Sequence, residues 1–219
     1  MLHPLHESKP IFEILTNNIS NIEEKKILDF GGNKGNLLHL FNNKIEQKNY
    51  TCIDVDLKAI IRGKEDYPEA TFLHWNKFSP AYNHSGNKNE PLPLLDKKFD
   101  IAIAYSVVTH TDWQEFKLYV NYLKLYATKV IISFLDINNR EMKEFFYNKR
   151  CEDYGSCVDF RNISNDYFYL IDNKTIIKNT EIYKEKCNYF INFYSKDFLS
   201  SKFKNSKIVD NHIQSTLQF

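Results

Sequence analysis

Short apolar runs alternate along this chain with longer stretches in which apolar residues recur at helical spacing. The short runs end in polar or acidic residues, as buried strands do where they leave a sheet. Strands that alternate with helices in this way predict an α/β fold built on a mostly parallel sheet. The expected strands cover residues 26–30, 50–54, 70–75, 98–104 and 129–135, and a helix over 112–125 precedes the last of them.

The pattern changes before and within this core. Apolar stripes predict an N-terminal helix over residues 8–20, within a cap that covers 1–24, and a further helix over 139–149. Residues 79–97 carry several prolines and asparagines where a helix would normally connect two parallel strands. We therefore expect a long loop there, and we expect it to border the substrate site.

An aromatic-rich segment, residues 150–194, interrupts the alternation of strand and helix. Within it, residues 168–177 have the pattern of a β-hairpin that turns at Asp172 and Asn173. We interpret the whole segment as an insertion that covers the substrate or forms a dimer surface. Its tyrosines are more typical of packing than of catalysis.

The end of the chain returns to regular structure. A helix is expected from Ser195, and two strands near 207–212 and 214–219 would form an antiparallel pair. The sequence thus predicts a single domain over 1–219, a three-layer sandwich. Its sheet would have seven mostly parallel strands with the last one antiparallel.

The most informative segment is the turn after the first strand, Asp-Phe-Gly-Gly-Asn-Lys-Gly from Asp29. Gly31, Gly32 and Gly35 permit positive φ angles and a close approach of the backbone to a ligand. Asn33 tolerates the left-handed region better than other residues that carry a side chain. In an open α/β sheet, such strand–turn–helix corners bind nucleotide-like ligands at the carboxyl ends of the strands.

The charge of Asp29 separates the possible ligands. A P-loop would need a Lys-Ser/Thr pair that closes this turn, and none stands there; the dinucleotide fingerprint G-x-G-x-x-G is broken at Asn33 and Asn36. A carboxylate before the glycines would repel a pyrophosphate, whereas it would attract an ammonium group. S-adenosylmethionine carries an ammonium group and a sulfonium, and it has no phosphate.

This segment resembles motif I of the class I, Rossmann-like S-adenosylmethionine-dependent methyltransferases, whose usual form is D/E-x-G-x-G-x-G. The departure is Asn33 at the middle glycine. The resemblance implies a Rossmann-like fold, S-adenosylmethionine as methyl donor and S-adenosylhomocysteine as product. It also implies that the cofactor is bound by Asp29, Gly31, Gly32, Asn33 and Gly35.

The second and third strands extend the resemblance. The second ends at Asp54, which matches the family's acid that accepts hydrogen bonds from both ribose hydroxyls. Val55 is implied to lie beside it in the cofactor site, whereas Asp56 is better placed as a helix N-cap. Asn76 stands where the family often has an adenine-binding acid, and its amide oxygen can accept the same bond. Trp75 fits either a contact with the adenine or the core.

The segment after the fourth strand, Tyr-Ser-Val-Val-Thr-His-Thr-Asp from Tyr105, resembles the family's motif IV region beside the transferred methyl group. His110 is the first candidate for a general base, because the pKa of histidine lies near neutrality, and a structural role for it is equally open. Tyr105 is expected to line the methyl pocket and to contact the cofactor, and His84 in the loop is a second catalytic candidate. Weaker candidates are His212 and, for orienting a base, Asp136, while His74 is expected to be structural.

Composition excludes several function classes. The chain has 219 residues and a formal net charge of +1, so no broad basic field indicates nucleic-acid binding. The fourth strand is followed neither by Asn/Asp-Pro-Pro-Tyr nor by a cysteine, which argues against methylation of nucleic-acid bases.

The cysteines fit neither zinc-ligand spacing nor a disulfide framework, so we expect no metal. No long apolar run or signal-type segment is present, which predicts a cytoplasmic protein without membrane contact.

We therefore expect an enzyme that transfers a methyl group to a small-molecule acceptor, as a monomer or homodimer. An oxygen is the first choice of acceptor atom, for example on a sugar or phosphate-type precursor in a bacterial biosynthetic pathway. The alternative is a non-catalytic Rossmann-like protein that binds S-adenosylmethionine or a related nucleoside. An NAD-dependent oxidoreductase is disfavoured by the charge of Asp29.

Overall fold

The computed structural model describes residues 15, 19–41, 44–79, 82–141, 158–162, 167–172, 190–210 and 214–219, and between 158 and 191 it describes the backbone only. The strands are β1 Ile27–Phe30, β2 Tyr50–Asp54, β3 Thr71–His74, β4 Phe99–Ala104, β5 Ala127–Asp136, β6 Val158–Asn162, β7 Tyr167–Asp172, β8 Phe190–Tyr194, β9 Lys207–Val209 and β10 Ser215–Gln218. The α-helices within this part of the chain are α1 Asn36–Leu40, α2 Leu57–Asp66, α3 Trp113–Tyr126 and α4 Lys196–Lys202. Short 3₁₀ turns occupy Ile22–Glu24, Gln47–Asn49 and Val108–His110.

Seven strands form the expected sheet in the order β3-β2-β1-β4-β5-β10-β9. The pairs from β3 to β5 are parallel, and β10 is antiparallel to both β5 and β9. The order of the strands reverses direction between β1 and β4. At such a point, an open α/β sheet leaves a crevice at the carboxyl ends of its strands. The predicted fold class is confirmed.

Three further strands extend the sheet beyond the seven. β5 is long enough to pair with β10 over Ile131–Phe134 and then with β8 at Leu135 and Asp136. β7 lies antiparallel between β8 and β6. The aromatic-rich segment therefore contributes strands that continue from the carboxyl end of β5.

Of the hairpin predicted over residues 168–177, the structure describes 168–172, and the rest lies outside the described residues. Phe168 pairs with Asn162 on β6 and with Phe193 on β8, so β7 has a partner on both edges. The sequence pattern identified the strand itself but not its partners, which lie elsewhere in the chain.

The helices begin where the sequence supplies a cap. Asp56 accepts hydrogen bonds from the backbone N–H groups of Lys58 and Ala59, which confirms its predicted N-cap role. Asp112 caps α3 and Ser195 caps α4 in the same way. These caps fix the starts of the helices that follow β2, β4 and β8.

Two apolar cores lie on the opposite faces of the sheet and make three layers. Successive residues of β1 alternate between them, since Ile27 belongs to one core and Leu28 to the other. The core with Ile27 includes residues of α1 and α2, and also Leu15, which is fully buried. The core with Leu28 includes α3, α4 and an aromatic cluster around Phe116.

Several sequence predictions fall on residues outside the described part. Of the helix expected over 8–20, the structure describes Leu15, Ile19 and Ser20, and of the helix expected over 139–149 it describes residues 139–141. His212 also lies outside the described residues. No helix among the described residues is long and apolar enough to cross a membrane.

Candidate functional site

The turn after β1 has the backbone that the sequence predicted. Gly31 has φ of 76° and Gly35 has φ of 87°, both in the left-handed region that favours glycine. Asn33 has φ of 55°, so the residue that replaces the family's middle glycine adopts the same region. α1 then begins directly after Gly35.

The structural reason for two of these glycines is internal packing. A Cβ on Gly31 would lie 2.4 Å from Cγ2 of Val107, and one on Gly32 would lie 2.4 Å from the carboxyl group of Asp29. The first contact brings the residues after β4 directly against the glycine turn. The turn after β1 and the exit of β4 thus meet at the crevice between these strands.

Asp54 organises the turn from the end of β2. Its Oδ2 accepts the backbone N–H of Asn33 at 2.7 Å, and its Oδ1 accepts that of Asp56 at 2.8 Å. Burial raises the pKa of this carboxyl, while the two backbone N–H bonds oppose the rise. Each oxygen keeps a further lone pair, so the group fits the predicted contact with ribose hydroxyls.

The side chain of Asp29 is almost fully buried, although it stands at the end of a strand beside the predicted ligand site. The residue is only 3% exposed, and the phenol of Tyr50 donates a hydrogen bond to its Oδ2. Burial raises the pKa of Asp29 to about 7, the Tyr50 bond lowers it, and the charge of Asp54 raises it. The negative charge that would attract an ammonium group is therefore only partly developed at neutral pH in the ligand-free protein.

Tyr105 follows β4 and lines a narrow cavity that is too small to hold a water molecule. Burial raises the pKa of Tyr105 to about 12, and its hydroxyl is buried without a hydrogen-bond partner among the described residues. A phenol with this pKa is a poor base near neutrality, but it remains a good hydrogen-bond donor. The cavity is lined by Leu15, Ile103, Ala104, Tyr105, Ile131, Ser133 and Thr216.

His110 ends the 3₁₀ turn that follows β4 and lies partly exposed. The ring of Tyr82, from the 79–97 loop, stands edge-on to its imidazole with 6.4 Å between ring centroids. The carbonyl of Thr111 accepts hydrogen bonds from the side chains of Asn192 and Tyr194 on β8. The loop and the added strands thus both contact the turn that carries His110.

The 79–97 loop is ordered by contacts with β3 and α3 where it is described. The side-chain oxygen of Asn76 accepts a bond from Asn83 at 3.2 Å, which uses part of the acceptor capacity that adenine would need. Trp75 is 5% exposed and donates to the carbonyl of Pro91 at 2.8 Å, so it belongs to the core. His84 lies exposed in the same loop.

Other residues considered in the sequence have different surroundings. Val55 adjoins Asp54, and its carbonyl is 3.2 Å from Nε2 of His74, which gives that histidine a structural contact. Asp136 at the end of β5 forms an ion pair with Lys196 at 3.0 Å. The described residues hold no cluster of side chains suited to a metal ion.

The sequence did not predict two residues that contact the proposed cofactor site, Tyr50 and Val107. Tyr50 begins β2 and lies on the same face as Cys52 and Asp54, so period-two alternation could have placed it near Asp29. Val107 gave no signal, because its contact with Gly31 depends on how β4 sits beside β1. The register of these strands pairs Asp29 with Cys52 and with Ile103.

Comparison with known proteins agrees with this geometry. Residues 28–125, which run from β1 to the end of α3, match a family model described as a methyltransferase domain. No curated protein sequence matches the chain significantly.

Solved structures share the fold at low sequence identity. A S-adenosylmethionine-dependent methyltransferase from Clostridium acetobutylicum is 13% identical with a TM-score of 0.53, and the match covers 96% of this chain and 89% of that one. The glycopeptide N-methyltransferase MtfA in complex with sinefungin is 10% identical with a TM-score of 0.55, covering 96% and 92%. The PH0226 protein from Pyrococcus horikoshii is 14% identical with a TM-score of 0.56, covering 95% and 85%.

Residues 28–125 match a methyltransferase domain, and the sheet has the strand order of the Rossmann-like class I methyltransferase fold. This match covers less than half of the chain, and together with the low-identity structures it shows the likeness to S-adenosylmethionine-dependent methyltransferases that the motifs predicted. S-adenosylmethionine is the methyl donor of this class. When bound, it supplies a sulfonium-activated methyl group, so the protein's part is to hold the donor and to align an acceptor.

Proposed function

We propose that this protein methylates an oxygen atom of a small-molecule acceptor, with His110 as the general base. The observation that carries the proposal is the position of His110 on the turn after β4, beside the loop residue Tyr82. The imidazole would take the proton of an acceptor hydroxyl as the methyl group is transferred in line. Tyr105 would donate a hydrogen bond within the same pocket rather than accept a proton.

The cofactor would lie over the turn between β1 and α1. Asp54 would hold its ribose and Asp29 its ammonium group, with Gly31, Asn33 and Gly35 shaping the backbone beneath it. The near-complete burial of Asp29 supports a short-range contact with an ammonium group rather than long-range attraction. Gly32, Val55 and Asn76 complete the proposed contact set.

The net charge of the chain and the 79–97 loop bear on the class of acceptor. A net charge of +1 provides no field for a nucleic acid, which supports a small cytoplasmic metabolite, such as a sugar or phosphate-type precursor. The 79–97 loop, and His84 within it, would form the acceptor side of the site. We propose a monomer or homodimer, with the strands from residues 150–194 near the acceptor rather than the cofactor.

A methyl-transfer screen tests the acceptor atom. Methyl-labelled S-adenosylmethionine would be offered with matched pairs of compounds that differ only in hydroxyl against amino at one position. We expect label in the hydroxyl compounds, and we expect His110→Ala to lower kcat/KM by roughly 10²–10⁴, as loss of a general base does. His39→Ala removes an exposed histidine from α1 and serves as the matched control.

Other outcomes would redirect the proposal. Label that enters the amino compounds preferentially would make the enzyme an N-methyltransferase, the activity named for its fold neighbour MtfA. Tight S-adenosylhomocysteine binding without transfer to any compound in the screen would favour the non-catalytic binder. An unchanged kcat/KM in His110→Ala would remove that residue from the mechanism.

A further inference from the structure

Ser106, the second residue after β4, has a backbone conformation that serine rarely adopts. Its φ is 59°, in the left-handed region, where a side chain is strained. Such a conformation persists only when its surroundings over-determine it, and these residues cluster at functional sites.

Ser106 is held by three described residues. Its backbone N–H donates to Oγ of Ser133 on β5 at 2.7 Å, and its carbonyl accepts from Oγ1 of Thr109 at 2.7 Å. Its own Oγ accepts from Nε2 of Gln214, next to β10, at 2.6 Å. Ser133 and Gln214 are each only 1% exposed, and they are also joined to each other.

These bonds form a closed ring with one direction. The backbone N–H of Ser106 can only donate, so Oγ of Ser133 accepts a hydrogen bond from it. The hydroxyl of Ser133 in turn donates a hydrogen bond to Oε1 of Gln214. That bond orients the amide of Gln214, whose Nε2 then donates to Ser106. The hydroxyl hydrogen of Ser106 is left over, and it has no acceptor among the described residues.

The ring adjoins the end of β4 and is joined through Thr109 to the turn that carries His110. Ser106 is half-buried between Tyr105, which lines the cavity, and Val107, which contacts the glycine turn. Ser133 lines the same cavity as Tyr105. The unused hydroxyl hydrogen is therefore located where β4 opens to the crevice at the carboxyl ends of the strands.

The geometry points to Ser106 as a positioning residue that donates a hydrogen bond to an oxygen of the methyl acceptor, with its direction fixed by Ser133 and Gln214. The acceptor then belongs to the class of molecules with a hydrogen-bond-accepting oxygen, such as a carboxylate or hydroxyl, at or beside the methylated atom. This inference rests on the proposed methyl transfer and adds the group that selects its substrate.

The test uses acetate as the probe, so it does not depend on knowing the natural acceptor. The full-length protein would be saturated with S-adenosylhomocysteine and titrated with sodium acetate, while NMR follows the side-chain amide signals of Gln214. We expect a saturable shift in the wild type. Ser106→Gly keeps the positive φ without strain but removes the hydroxyl, and it should bind acetate roughly tenfold more weakly, as expected for loss of a charge-assisted hydrogen bond.

Two further variants separate the hydroxyl from a merely structural role. Ser106→Ala also lacks the hydroxyl but retains the strain, so it should lose the same affinity while melting at a lower temperature than Ser106→Gly. Ser206→Gly makes the same chemical change at a half-buried serine before β9, toward the amino ends of the parallel strands, and should bind acetate as the wild type does. Affinity for S-adenosylhomocysteine should change less than about twofold in all three, because none of these side chains lies in the proposed cofactor contact set.

The outcomes are distinct from those of the methyl-transfer screen. Acetate affinity in Ser106→Gly equal to that of the wild type, or a wild type that shows no saturable shift, would overturn the role of Ser106. Absence of S-adenosylhomocysteine binding in the wild type would instead refute the proposed function. With any acceptor found in the screen, Ser106→Gly should raise KM more than it lowers kcat.

Discussion

At the scale of single residues, the enclosure of Asp29 is the feature with the clearest measurable consequence. Its carboxyl group has a pKa of about 7 because burial disfavours the charged form, while Tyr50 partly offsets this through its hydrogen bond. A bound ammonium group favours the ionised carboxylate. Cofactor binding below neutrality must therefore expel a proton from Asp29.

We predict that affinity for S-adenosylhomocysteine rises with pH and levels off above about pH 7. Below that pH the affinity should fall by up to roughly tenfold per unit, because one proton is released for each ligand bound. Titration calorimetry from about pH 5.5 to about pH 8, in buffers of different ionisation enthalpy, measures both the affinity and the protons released.

Asp29→Asn should bind weakly at every pH and release no proton. Asp100→Asn is the matched control, since Asp100 lies on β4 at the opposite end of the sheet, where it accepts the backbone N–H of Lys26. A wild-type affinity that does not change across this range would show that Asp29 does not contact the ammonium group.

The contact between Gly31 and Val107 gives a second prediction at this scale. Gly31→Ala combines an unfavourable φ with a Cβ 2.4 Å from Val107, and it should lower the free energy of unfolding by roughly 2–4 kcal/mol. In Gly31→Ala/Val107→Ala the steric part is relieved and only the backbone part, about 1–2 kcal/mol, should remain. Urea unfolding of the two single variants and the double variant measures the difference, and purely additive losses would contradict it.

At the scale of elements, the strands added after β5 support the turn that carries His110. Asn192 is fully buried on β8 and donates to the carbonyl of Thr111, directly after His110. Tyr194, two residues further along the same strand, donates to the same carbonyl at 3.4 Å. An element absent from the seven-stranded sheet thus positions the proposed general base.

We predict that Asn192→Ala lowers kcat by roughly tenfold or more, because a displacement of the His110 turn misaligns the acceptor. Affinity for S-adenosylhomocysteine should stay within about twofold of the wild type, since Asn192 lies outside the proposed cofactor contact set. Steady-state kinetics and calorimetry measure the two effects. Tyr194→Phe removes the longer bond alone and should have the smaller effect, and equal losses of kcat and cofactor affinity in Asn192→Ala would argue against this coupling.

The elements also show which predictions a sequence can support. The cap at Asp56 and the left-handed Asn33 followed from local rules, because each depends on a few neighbouring residues. The ring through Ser106 and Gln214 could not be predicted, since 108 residues separate the two side chains and the pairing of β5 with both β4 and β10 brings them together. The position of β7 between β6 and β8 was missed for the same reason.

At the scale of the whole molecule, the crevice between β1 and β4 joins both halves of the site. The glycine turn and Asp54 belong to the half formed by β1 and β2, whereas Tyr105 and His110 follow β4. Val107 connects the halves through its contact with Gly31. A ligand that spans this crevice should therefore stabilise the entire domain rather than one half.

We predict that S-adenosylhomocysteine at a concentration of roughly 100 times its Kd stabilises the folded protein by about 2.7 kcal/mol. For a domain of this size, that corresponds to a rise in Tm of roughly 5–10 °C, and differential scanning calorimetry measures it as a single cooperative transition. NAD at the same concentration should leave Tm unchanged, because its pyrophosphate would meet the carboxylates of Asp29 and Asp54. Asp54→Ala should abolish the rise, whereas Asp100→Asn should retain it. A larger rise with NAD than with S-adenosylhomocysteine would contradict the electrostatic argument on which the cofactor assignment rests.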